Sequence, residues 1–190
     1  MIEDIVKQLE PLPSKSKLII FGGGYSGQKI ASVGRHLGVK VLCSRRKEGS
    51  KGADFIFDSD REFSNEICEG VTHVLSCIPP LLSGEDPVLS KLKTKLLNSK
   101  NLKWVGYLST TGVYGDTKGT WVNENTCPNP QQGRSIRRFS CEKEWLETRL
   151  PVQILRLPGI YGPGRSAFES LLNGTVKMID KPGQVFSRIH

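Results

Sequence analysis

Glycines at positions 22, 24 and 27 form a G-x-G-x-x-G spacing that suits a phosphate-bearing ligand. Without a Cβ, Gly22 permits a sharp turn, Gly24 lets a pyrophosphate approach the backbone, and Gly27 lets a helix pack closely on a strand. Tyr25 and Ser26 fall at the start of that helix, where free N–H groups and the positive dipole end receive phosphate. Glycine-rich segments also arise as plain turns. Here the apolar run Leu18 to Phe21 precedes the glycines and a helical pattern of Ile30, Val33 and Leu37 follows, an order of strand, turn and helix that favours dinucleotide binding.

Further binding candidates follow along the chain. A second strand, Val39 to Cys43, runs into Ser44-Arg45-Arg46, the place where an acidic residue would hold the adenosine ribose and where an arginine accommodates a 2′-phosphate. No Asp or Glu occurs there before Glu48, so NADP is expected, with NAD the alternative if Arg45 and Arg46 merely face solvent. Asp58, after a short strand Ala53 to Phe57, is either an adenine contact or a turn residue. Cys77, Ile78 and Pro79 end a fourth strand, Val71 to Cys77, and Pro79-Pro80 must turn the chain out of the sheet, at the edge where ligands sit. Five cysteines without C-x-x-C, accompanied by three histidines, read as thiols of a reducing compartment rather than a disulfide frame or zinc site, and no metal is expected.

The elements that must position these residues alternate. An amphipathic helix carries Val88, Leu89, Leu92, Leu96 and Leu97, a fifth strand covers Leu102 to Leu108, a helix covers Arg134 to Arg149, and a sixth strand covers Val152 to Leu157. This predicts an α/β fold, a doubly wound (Rossmann) parallel sheet with helices on both faces and strand order 3-2-1-4-5-6. Residues 1–16 read as an N-terminal extension with a short helix from Ile2 to Leu9, residues 17–165 as the NAD(P)-binding domain, and residues 166–190 as the start of an incomplete substrate-binding region. The N-terminus lacks the pattern of a secretory signal and no apolar run is long enough for a membrane span, so a cytoplasmic location is expected. The net charge of +8 points to anionic ligands, nucleic acid included, or to a solvated basic surface.

Strand five leads into Ser109-Thr110-Thr111-Gly112-Val113-Tyr114-Gly115, followed by Trp121-Val122-Asn123-Glu124 and by Leu155 to Arg165, L-R-L-P-G-I-Y-G-P-G-R. With the glycine turn, these segments resemble the extended and atypical short-chain dehydrogenases/reductases, in particular the NAD-dependent epimerase/dehydratase-like group that acts on nucleotide-sugar-type substrates. The resemblance implies that Thr110, four residues before Tyr114, orients a substrate hydroxyl or carbonyl, the alternative being that Thr110 and Thr111 satisfy loop amides. It also implies a general acid/base Tyr with a Lys four residues on, whose ammonium lowers the phenol's pKa.

That pair is missing. Its two places fall on Arg134 and Arg138, and arginine cannot act as a base. The two arginines either bind a substrate phosphate or carboxylate from one helical face or form a solvated basic face. Tyr114 and Lys118 share the spacing but lie in a loop; Thr111, Tyr114 and Tyr161 are expected to line or wall the substrate pocket. In relatives, a segment like Pro182 to His190 is followed by elements that complete the substrate domain, so the chain is expected to be C-terminally shortened. Two functions compete: an NADP-dependent oxidoreductase or epimerase/dehydratase-like enzyme of atypical mechanism acting on a small molecule such as a nucleotide sugar, and a non-catalytic dinucleotide-binding module with a protein or RNA partner.

Overall fold

The computed structural model describes residues 12–176, 180, 182–183 and 185–190; the expected helix from Ile2 to Leu9 lies outside them. Strand β1 (Lys17–Phe21) leads through the glycines into α1 (Tyr25–His36), then β2 (Lys40–Arg45), β3 (Phe55–Ile56) and β4 (His73–Ser76). After β4 come α2 (Pro87–Leu97), β5 (Trp104–Thr110), a 3-10 turn (Thr111–Tyr114), α3 (Gly133–Leu146) and β6 (Val152–Leu157). Three short elements follow, β7 (Gly159–Ile160), α4 (Ala167–Leu172) and β8 (Arg188–Ile189).

The main sheet has the order β3-β2-β1-β4-β5-β6 with every neighbour parallel, the expected doubly wound topology. Parallel strands hide both faces, and the sheet interior is accordingly built of Ile, Val, Leu and Phe. On one face Ile19, Phe21, Val74, Val105 and Tyr107 pack with α2 through Leu92 and Leu96 and with α3 through Cys141 and Trp145. On the other, Ile20, Val41 and Cys43 pack with Ala31 of α1. Trp104 covers this second face further along: a Cβ on Gly106 would collide with its indole, which is why that strand position is glycine.

Several expected boundaries shift in ways that matter for the site. Strand β2 continues two residues beyond Cys43, so Arg45 is its last residue rather than a loop residue. Strand β5 starts at Trp104 and ends at Thr110, placing Ser109 and Thr110 on the strand itself. Helix α3 ends at Leu146, short of Arg149, whose φ of 63° is incompatible with a continuing helix. Helix α2 starts where Asp86 caps it, with Oδ1 accepting from Val88 N–H at 2.9 Å and Leu89 N–H at 3.0 Å. The other carboxylate oxygen accepts from Trp145 Nε1 at 3.1 Å, so one buried aspartate fixes α2 against α3. Burial still raises the Asp86 pKa above the ordinary carboxylate value.

His73, at the start of β4, has its pKa lowered, mainly by burial and then by the Lys103 ammonium. The unfolded chain therefore takes up this proton more readily than the folded one. Stability is present above the ordinary value of 6.5 and is lost as pH falls through the lowered folded value. Urea unfolding between about pH 7.5 and about pH 5.5 should show the midpoint falling with pH in the parent chain and falling less in His73→Gln.

Candidate functional site: the glycine turn and the strand ends

Why the chain turns where it does is visible in backbone contacts. Gly22 N–H donates to Ser44 Oγ at 2.9 Å and Gly23 N–H to Ser44 O at 2.6 Å, fastening the turn to the end of β2. Gly22 has φ +96°, and a Cβ there would press on Ile78 Cγ1 and the Cys77 carbonyl carbon. A Cβ on Gly27 would collide with Gly22 O, so α1 lies against the turn at a distance that only glycine allows. At Gly24 nothing among the described residues stands within 4 Å of the missing Cβ, leaving the backbone there open. Ser44 and Gly23 were not singled out in the sequence; a Cβ on Gly23 would press on Cys43 Sγ and Ser44 O, and only the pairing of β1 with β2 reveals either requirement.

The turn opens into a cleft of about 430 Å³ bounded by Gly22 to Gly24, by Ser44 to Arg46, by Phe57 to Ser59 and by Cys77 to Leu82. The strand-end residues expected to bind a cofactor, Arg45, Arg46, Asp58, Cys77, Ile78 and Pro79, are thus brought together. Among the described residues Arg45 Nε, itself buried, has no hydrogen-bond partner. Asp58 accepts from Asp60 N–H at 3.3 Å and from Ser59 Oγ at 3.5 Å, a turn role that still leaves it on the cleft wall. Cys77 is chemically quiet because burial pushes its thiol up to about 12. Tyr25 and Ser26 lie outside the cleft lining, and the Tyr25 phenol instead donates to Pro163 O at 3.0 Å.

The second constellation is arranged differently from its sequence reading. Arg138 points inward: its Nη1 donates to Leu108 O at 2.7 Å, to Tyr107 Oη at 3.2 Å and to Ile78 O at 3.3 Å. Arg134 is exposed. The expectation that both share one ligand-binding helical face is therefore corrected. Position 138 faces the sheet and its guanidinium ties the ends of β4 and β5, because two strand-end carbonyls need donors there. The Tyr107 phenol beside it is fully buried and its pKa is raised, first by burial, so it offers no replacement acid/base.

Thr110 Oγ1 accepts from Gly112 N–H at 3.1 Å, capping the 3-10 turn that contains Thr111. Tyr114 is buried, and its hydroxyl accepts from Arg156 Nη1 at 3.0 Å. Arg156 also grips the buried Glu142 carboxylate, with Nη2 to Oε2 at 2.8 Å and Nε to Oε2 at 3.1 Å. Tyr114 therefore walls the loop from inside. Tyr161 is half-exposed, with its ring edge-on to His190 at 5.2 Å between centroids.

Comparison with known proteins comes out as this geometry would suggest. No protein-family model matches the chain. Protein YeeZ of Escherichia coli K12 is 45% identical over 64 residues, 31% of this chain and 22% of YeeZ. The structure of a functionally unknown conserved protein from Silicibacter pomeroyi aligns with a TM-score of 0.82 at 38% identity, covering 92% of this chain and 64% of that one. A proposed NAD-dependent epimerase/dehydratase from Methylobacillus flagellatus aligns with a TM-score of 0.64 at 29% identity, over 79% of this chain and 56% of that one. The UDP-glucuronic acid 4-epimerase of Bacillus cereus, in complex with UDP-glucuronic acid and NAD, shares the fold with a TM-score of 0.63 at 19% identity, over 83% of this chain and 63% of that one.

The chain thus shares the doubly wound fold of these solved structures. It spans less than two thirds of the length of each of these solved structures.

The Arg156–Glu142 pair holds β6, α3 and the loop ending in Tyr114 at once. Replacing Glu142 by Gln leaves a guanidinium facing a neutral amide in a nearly closed site, and should cost about 3 kcal/mol in urea unfolding.

Proposed function

We propose that the chain binds NADP through the glycine turn and serves as the cofactor-holding part of an epimerase/dehydratase-like enzyme acting on a nucleotide-sugar-type substrate. The observation that carries this reading is the cleft itself. Gly24 leaves its backbone open, Gly22 and Gly27 exclude any larger residue, and Arg45, whose buried Nε has no hydrogen-bond partner among the described residues, lines the same cleft. A dinucleotide fits those three features: its pyrophosphate at Gly22 to Gly27 and the start of α1, and its adenosine 2′-phosphate at Arg45 and Arg46. The bound nicotinamide would supply hydride chemistry.

Thr110 is the residue we assign to a substrate hydroxyl or carbonyl. Its oxygen already accepts a backbone N–H, and its own proton is left to donate. Thr111, Arg134 and Tyr161 complete the proposed substrate side. Arg138 is removed from it because its Nη1 serves the strand ends.

A second reading draws on the same arginine. With an exposed arginine at position 134 and a buried one at 138, no Tyr–Lys pair is available to move a proton. The chain would then hold the dinucleotide without turning it over and act on an RNA or protein partner through its basic surface, in keeping with its +8 charge. Salt-sensitive RNA binding that responds to NADPH supports this reading, and cofactor oxidation or reduction with a panel of nucleotide sugars supports the first.

Calorimetric titration with NADPH and NADH tests the cofactor. The parent chain should bind NADPH about tenfold tighter, Arg45→Asp should erase that preference, and Gly24→Ala should weaken both while leaving the melting temperature of the free protein nearly unchanged. Equal binding of both by the parent overturns the role of Arg45. Binding of neither overturns the dinucleotide reading.

A further inference from the structure

A second cavity lies at the opposite edge of the sheet from the glycine turn. Strands β1, β4 and β5 are neighbours and run parallel, so the segments that lead into them meet at one place, the edge where the strands begin. Lys15 and Ser16 come from the approach to β1, Gly70 and Thr72 from that to β4, and Asn101 and Lys103 from that to β5. Together they line a cavity of about 240 Å³ that shares no residue with the cleft at the glycine turn.

The lining is rich in hydrogen-bond donors that have nothing to donate to. Ser16 is only 6% exposed, yet its hydroxyl has no hydrogen-bond partner among the described residues, while its N–H is tied to Pro13 O at 2.8 Å. The Gly70 N–H is likewise unengaged among the described residues. Lys15 and Lys103 supply the charge: neither is ion-paired among the described residues, and no described carboxylate lines the cavity. Two neighbours are already spent on the fold. Lys17 Nζ donates to Ile67 O at 2.7 Å and Glu69 O at 2.8 Å, and Thr72 Oγ1 accepts from Lys17 N–H at 2.8 Å and donates to Lys17 O at 3.0 Å. What is left over is two ammonium groups, a nearly buried hydroxyl, the Asn101 amide and one backbone N–H. A buried hydroxyl without a partner is costly, and an oxyanion, with several acceptor oxygens, satisfies it and both ammonium groups at once.

We propose that this cavity binds a phosphate group, carried by inorganic phosphate or by a small phosphate ester, with Lys15 and Lys103 supplying charge and Ser16 and Asn101 supplying hydrogen bonds. The site stands apart from the dinucleotide reading, since the two cavities lie at opposite ends of the same strands. A reporter is built in beside it. His73 Nδ1 lies 2.8 Å from Thr72 Oγ1, its ring is 6.4 Å from that of Trp104, and its pKa is lowered first by burial and then by the Lys103 ammonium. An anion held at Lys103 offsets that ammonium and moves the His73 pKa back up.

Proton NMR titration of the His73 ring, assigned by its loss in His73→Gln, reads the site without any measurement of activity. At equal ionic strength, exchanging chloride for inorganic phosphate should raise the His73 pKa. Lys15→Met should raise the half-saturating phosphate concentration about tenfold. This variant is clean because the Lys15 charge is not among the causes of the His73 shift, and it should melt like the parent because Lys15 is exposed. A hexose phosphate titrated alongside separates the two sources: saturation at a lower concentration than inorganic phosphate assigns the ester, and saturation at the same concentration assigns the free ion. A His73 pKa that is equal in chloride and phosphate overturns the proposal. So does a rise that is undiminished in Lys15→Met, which would mark general screening of Lys103. Both of these outcomes leave the reading of the glycine turn untouched.

Discussion

The site depends on the close approach of three backbone segments that side chains would keep apart. Gly22 and Gly23 hang from Ser44 at the end of β2, and Gly27 presses α1 against the Gly22 carbonyl. Parallel pairing of β1 with both β2 and β4 places this turn at the centre of the sheet's edge, where strand order reverses and helices depart to opposite faces. The cleft is a consequence of that topology. Arg45 reaches it because β2 runs to its rim, and Cys77 to Pro79 reach it because β4 stops there and prolines carry the chain away.

A different constraint governs the other half of the molecule. Arg138 enters from α3 and donates to the carbonyls of Ile78, just past β4, and of Leu108 in β5. Arg156 and Glu142 perform a comparable task between β6, α3 and the Tyr114 loop. Buried charges of this kind are expensive to desolvate and are held by several hydrogen bonds at once, so they define position more than they add stability. On α3, Arg138 and Glu142 hold the helix to β5 and β6.

The fold was legible from the sequence because burial of a parallel sheet on both faces writes itself as short apolar runs, and the alternation of such runs with helical periods admits few topologies. The glycine turn was legible for a related reason, since backbone close approach has a residue type of its own. Strand limits were less legible. Ser44-Arg45 and Ser109-Thr110 are polar in composition, yet ladder hydrogen bonds extend over them, and such bonds depend on the neighbouring strand rather than on the residues themselves.

Identity and spacing alone therefore determined the Rossmann-type sheet, its strand order and the position of the glycine turn. Tertiary structure decided the direction of each charged side chain. Arg134 and Arg138 differ in sequence only by one helical turn, but one faces solvent and the other the strand ends. Arg165, inconspicuous in a loop, comes to lie on Tyr25 across 140 residues of chain. A guanidinium goes where unpaired acceptors or an aromatic face await it, and those partners come from segments far away along the chain, which local sequence does not specify.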